Sequence, residues 1–187
     1  MTRQEAEQVL ARELEANERL LWAGVPRQGF VLRQGDAVLV PFSLLWGGFA
    51  IFWETTVLTH GAPWFASLWG IPFVLVGLYL ICGRFVVDAR RRAATAYALT
   101  DHRALIRSGL FSPSVKSAAL RGLSEMQLTE RGDGSGTITL GPTPPWAHGY
   151  AASSWPGSAG QIGPAFELIA DVRSVYHQLR AAQAALH

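Results

Sequence analysis

The chain is poor in cysteine, in lysine and in charge. One cysteine, Cys82, rules out an intramolecular disulfide and any site built on several thiolates. It sits inside an apolar run, where a thiol behaves as a small hydrophobe. A single lysine, Lys116, and a net charge of only +2 leave no dense basic face, so nucleic acid is not an expected partner. Charged residues make up 16% of the sequence, against about 25% in ordinary soluble domains. Hydrophobic residues make up 49%, and seven tryptophans are among them. The N-terminal stretch MTRQEAEQVLARELEANERL is too charged for a secretory signal peptide.

Catalytic patterns are missing as well. No His-x-x-Glu-His, no Gly-x-Ser-x-Gly and no phosphate-cradling glycine loop ending in lysine occurs. Asp101 and His102 are neighbours on an expected turn, where an extended backbone would point them apart. Titratable groups do not converge, so the expectation is a non-enzyme with no catalytic residue, no cofactor and no metal site.

What the chain has in abundance is uninterrupted hydrocarbon. Ala37 to Trp53 contains no charged residue, and neither does Ala62 to Gly83. At about 1.5 Å per residue these runs cover about 25 Å and about 33 Å, against about 30 Å of bilayer hydrocarbon. Neither shows the polar stripe of a soluble core helix. They predict a transmembrane hairpin over 37–87, with spans at about 37–57 and 62–83. The connection ETTVLTHGAP carries no lysine or arginine, whereas Arg27, Arg33, Arg84, Arg90, Arg91 and Arg92 lie outside the pair. The positive-inside rule then puts both termini in the cytoplasm. Arg84, Arg90, Arg91 and Arg92 become candidates for contact with the membrane surface. Pro72 predicts a mid-span kink, and Ser43-x-x-x-Gly47 and Ala66-x-x-x-Gly70 predict close helix approach. Glu54 and His60 are expected to be solvated at the outer surface.

Residues 1–36 read as an amphipathic helix over Thr2 to Leu20, opened by a Thr2-x-x-Glu5 capping box, and a juxtamembrane segment. Past Arg92 the pattern turns to short strands: Ala96 to Leu99 and Ala104 to Arg107 as a hairpin, then VKSAAL, LSEMQLTE and TITL. RGDGSG reads as a turn. The stretch 141–163, rich in Gly, Pro and Ser, carries Trp146, Tyr150 and Trp155, which are candidates for a partner-binding loop. From Pro164, the residues Phe166, Ile169, Val172, Tyr176 and Leu179 fall at helical spacing and predict one amphipathic helix. A cytoplasmic domain over 94–187 of α+β type follows.

The combination of a two-span hairpin with YALTDHRALIRSG, GSGTITLG and AFELIADVRSVYHQL resembles bacterial membrane proteins that carry a pleckstrin-homology-like domain. ERLLWAGVPRQG ahead of the first span is similar too, and Tyr97-x-Leu-Thr-Asp-x-Arg103 is the most specific piece. The resemblance implies an antiparallel β-barrel or sandwich of about seven strands with a C-terminal capping helix, held at the bacterial inner membrane. Phosphoinositide-binding members of that fold carry a basic cluster in the first hairpin loop, and Thr100-Asp101-His102 lacks one. The function expected is a membrane-anchored binding or scaffold module, with the lipid bilayer and a protein partner or a second copy as its contacts. The alternative is a subunit of a homo-oligomeric membrane assembly or transport complex.

Overall fold

The computed structural model describes residues 1–33, 35–61, 63–110, 112–142 and 163–186. The fold is mixed α+β: two antiparallel sheets that do not close into a barrel, and two helices long and apolar enough to cross a membrane. In chain order the elements are α1 (Arg3–Ala11), β1 (Leu20–Gly24), α2 (Asp36–Thr59), α3 (Trp64–Ala93), β2 (Ala96–Thr100), β3 (Arg103–Ser108), β4 (Ser114–Ala119), β5 (Met126–Glu130), β6 (Gly136–Leu140), β7 (Ala165–Ile169) and α4 (Val172–Ala184). The candidate loop residues Trp146, Tyr150 and Trp155 lie outside the described residues.

Helices α2 and α3 span 24 and 30 residues, about 36 Å and about 45 Å at the α-helical rise. Each runs past the end expected from its apolar run. They pack antiparallel along small residues. Gly47 faces Gly77 so closely that a Cβ on Gly77 would lie 2.8 Å from the Gly47 Cα. Ser43 and Ala50 continue that buried seam on α2. The second expected motif is used differently: Gly70 makes room for the carboxyl of Glu54. Glu54 is thus turned into the seam rather than solvated, and its Oε2 finds no partner among the described residues. His60 folds back through Nδ1 onto the Thr56 carbonyl at 2.9 Å. Pro72 lies inside α3, but the irregular turn is a π-helical one further on, at Tyr79–Gly83.

The first sheet has the order β1-β2-β3-β4 and the second β5-β6-β7. The first strand comes from ahead of the hairpin: Leu20–Gly24 pairs antiparallel with β2, so the unit expected over 94–187 draws a strand from residues read as juxtamembrane. The N-terminal helix accordingly stops at Ala11 instead of reaching Leu20, although its capping box is formed. Strand β2 is buried on both faces. Its large residues Tyr97 and Leu99 face the main core, while Ala96 and Ala98 face Ala6 and Leu10 of α1. Small side chains on that side let the helix approach the sheet.

The main core lies between the sheets and α4. Phe166 is fully buried at its centre, with ring centroids 5.1 Å from Tyr97 and 5.7 Å from Trp22. Phe166 and Ile169 were expected at the start of a helix; they belong to β7, and the helix begins at Val172. A β-bulge explains the misreading. Ile138 pairs with Phe166 and Gly136 with Ile169, so β6 advances two positions while β7 advances three. The extra residue brings positions three apart onto one face, the spacing that otherwise marks a helix. Leu168 takes a positive φ of 52° within the bulge.

Candidate functional site

The densest polar arrangement lies where the base of the hairpin meets the sheets. Asp36 opens α2, and its Oδ2 accepts the Arg33 backbone N–H at 2.6 Å. Its Oδ1 accepts from Arg84 Nη1 at 2.7 Å, and both side chains of this pair are 3% exposed. Arg84 Nε donates to the Leu80 carbonyl at 2.8 Å. The π-turn bears on this contact, because the Arg84 amide reaches back to Tyr79 rather than to Leu80. Phe85 lies against the other side of the guanidinium, 4.3 Å from its carbon to the ring centroid.

One turn further along α3, Asp88 accepts from Arg33 Nη2 at 3.3 Å and from Arg92 Nε at 2.9 Å. Arg33 Nη2 also reaches Glu167 of β7 at 3.2 Å. Arg92 donates to the carbonyls of Arg27 at 2.6 Å and Gly29 at 2.7 Å. Three guanidinium groups and three carboxylates thus balance one another across α2, α3, the 26–33 segment and β7. The RGD string is absorbed nearby: Asp133 pairs with Arg27, and Arg131 donates to the Leu32 carbonyl. The Ser135 hydroxyl and amide, with Arg27 behind them, hold the Asp133 carboxyl below the usual aspartate range.

The four arginines expected at the membrane surface therefore separate into two pairs. Arg84 and Arg92 are buried and committed to protein partners, a correction to the reading that sent all four outward. Arg90 and Arg91 are exposed and make no ion pair among the described residues. The signal was available: Arg84, Asp88 and Arg92 stand four apart on one helix face. Asp36, Arg33 and Glu167 carried no comparable local pattern, because their contacts cross long stretches of chain.

A second cluster fastens the N-terminal segment to the β2–β3 turn. Arg103 grips Glu18 with two nitrogens, Nε to Oε1 at 2.8 Å and Nη2 to Oε2 at 2.9 Å. Thr100 Oγ1 donates to the same Oε1 at 2.7 Å. Asp101 accepts the Arg19 backbone N–H at 3.0 Å. The Arg103 hydrogen bonds, with smaller help from Thr100, lower the Glu18 pKa from 4.5 to about 2, against the opposing effect of burial. Arg103 is raised by the same contact. Two stretches far apart in the sequence, Glu-Arg-Leu-Leu-Trp from Glu18 and Tyr-x-Leu-Thr-Asp-x-Arg from Tyr97, are thus in direct contact.

No family model, curated protein or solved structure matches the chain. The site's chemistry has to be read from its own groups. Among the described residues no set of three or more His, Cys, Asp or Glu side chains is placed to hold a metal ion. Guanidinium–carboxylate pairs that neutralise one another hold elements in fixed relation, although Arg84 Nη2 is buried without a partner among the described residues, and positioning is what this arrangement can do.

Proposed function

We propose that the chain is a membrane-anchored, non-catalytic binding or scaffold module, with a PH-like domain held against the cytoplasmic face of a bacterial inner membrane. The observation that carries this reading is an outward apolar surface on two helices that are ionically tied to a sheet domain. Leu45, Trp69 and Trp64 are 74%, 72% and 78% exposed, whereas Ser43, Gly47, Ala50, Gly70 and Gly77 of the same helices are turned inward. Water disfavours such a surface and lipid accommodates it. The link between the two helices carries no arginine or lysine, while Arg33, Arg84 and Arg90 to Arg92 gather at the opposite end, which favours cytoplasmic termini. Among the described residues, seven strands in two antiparallel sheets and a late helix packed on the core support a PH-like plan.

Because Leu20–Gly24 is the first strand, the first strand connection is the helical hairpin itself and not Thr100-Asp101-His102, so the place where the resemblance expects a basic loop is taken by the two long helices. Anchoring by the chain itself then replaces membrane attachment through a phosphoinositide headgroup. Binding is supported by β4: among the described residues it is an edge strand paired only with β3, largely exposed, and edges of this kind accept an added strand.

The full-length chain should stay in the membrane fraction through high salt and alkaline carbonate, and leave only with detergent. Recovery as a stable monomer without surfactant would overturn the anchor. A photo-crosslinking residue at Val115 should capture one defined protein in intact membranes. No adduct would count against the binding role, and an adduct with a second copy would favour the homo-oligomeric assembly instead.

A further inference from the structure

The segment 26–33 and the adjoining turn of α3 carry an apolar patch that the spans do not need. Phe30 and Leu32 are 77% and 68% exposed, and Val31 between them is buried. The alternation of exposed, buried and exposed positions presents two large side chains outward together. The Phe30 ring lies 6.5 Å from the ring of Phe85, and Val86 and Val87 beside it are exposed as well. This patch continues the outward apolar surface of α3 past the Asp36–Arg84 pair, toward the sheets.

We infer that this patch is an interfacial contact for anionic phospholipid, with Phe30 and Leu32 entering the acyl boundary and Arg90 and Arg91 meeting lipid phosphates. The inference rests on the membrane-anchored reading. Charge complementarity selects the occupant: Arg33, Arg84 and Arg92 are neutralised by Asp36, Asp88 and Glu167, which leaves Arg90 and Arg91 as the free cations of this end of α3 among the described residues. Exposed cations bordering large apolar side chains suit an anionic headgroup layer. Continuity selects it as well, because the patch adjoins helices already immersed in lipid. The segment is also held in place: Arg92 binds the carbonyls of Arg27 and Gly29, and Arg131 binds that of Leu32. The lipid boundary then falls near Arg90 and Arg91, about 10 Å along α3 from Arg84, and the buried ion pair lies on the hydrocarbon side of it.

The test places a nitroxide label on the full-length chain in liposomes. In a Cys82→Ser background, Phe30→Cys and Leu32→Cys are labelled in turn, with Leu45→Cys and Arg180→Cys as lipid and water references. Collision with oxygen is compared with collision with a water-soluble nickel complex, in phosphatidylcholine with and without phosphatidylglycerol. Labels at 30 and 32 should show a several-fold higher oxygen-to-nickel ratio than the label at 180, rising further with phosphatidylglycerol. Adding Arg90→Glu and Arg91→Glu should cancel that rise and leave position 45 unchanged. Water-like labels at 30 and 32 with a lipid-like label at 45 would overturn this inference and leave the anchor standing. A water-like label at 45 would overturn the anchor too. Shielding of 30 and 32 from both reagents would mark a protein contact and overturn the lipid assignment.

Discussion

Arg84 and Arg92 differ from Arg90 and Arg91 in what is folded against them, Asp36 in one case and the carbonyls of Arg27 and Gly29 in the other, and that contact decides their energetic weight. Removing one partner from a buried pair leaves an uncompensated charge. Arg84→Ala should therefore destabilise the protein by about 3–5 kcal/mol, while Arg90→Ala at an exposed position should stay within about 0.5 kcal/mol. Thermal unfolding in detergent micelles separates the two, and equal effects would dismiss the buried pair as a stabilising contact. Replacing both partners together, Asp36→Leu with Arg84→Met, should recover much of the loss, because the cost lies in orphaning a charge. Glu18 makes a pH-dependent prediction. Its pKa is lowered from 4.5 to about 2 by Arg103, so its contribution is complete above pH 4.5 and drains away as the pH falls toward 2. The melting temperature of the native chain should drop across that window. Glu18→Gln should begin lower and lose this acid-dependent component; an unchanged acid slope in the variant would show that the Arg103 contact is not maintained in solution.

At the scale of elements, the hairpin depends on backbone approach rather than on side-chain bulk. Any Cβ on Gly77 meets the Gly47 backbone, whereas a Cβ on Gly48, one residue round the same helix, meets nothing within 4 Å. Gly77→Leu should cost about 1–3 kcal/mol through forced helix separation, and Gly48→Leu should be nearly neutral. Loss of helix–helix crosslinking between cysteines placed on α2 and α3 would report the separation; retention in Gly77→Leu would refute the seam. Helix α1 is short and owes its place to burial. Leu10 is fully buried against Ala96, Ala98 and Leu105, so Leu10→Ala should cost about 2–5 kcal/mol. Chemical denaturation of the full chain measures it, and a change under 1 kcal/mol would mean that α1 docks weakly.

At the scale of the molecule, Arg33 joins the two halves. Its guanidinium touches Asp88 on α3 and Glu167 on β7, so one side chain ties the hairpin to the second sheet. Glu167→Ala should raise amide hydrogen exchange along β7 while the helicity of the hairpin is unchanged; unaltered exchange would show that the halves are held by other contacts. Strand β1 ties the hairpin covalently to the first sheet. The chain enters the sheet at Leu20, leaves through the hairpin and returns at Ala96 as the neighbouring strand, so the helices emerge from adjacent positions of one sheet.

Some of this was legible from the residues alone. Two long uncharged runs predict two long apolar helices, because a hydrophobic stretch needs no partner to announce itself. The capping box, the β2–β3 hairpin and β6 depend on neighbours a few residues away, and local patterns found them. Patterns failed where distant chain supplied the partner. Leu20–Gly24 is a strand because β2 lies beside it, and Phe166 to Ile169 is a strand because a bulge against β6 shifts its phase into a helical disguise. The arginines of α3 were visible as charge, but which of them face protein depended on Asp36 and on the 26–33 segment folding against them. An ion pair is invisible in a sequence when its halves are as far apart as Arg33 and Glu167. Apolar length is a property of the chain; burial is a property of what the chain is folded against.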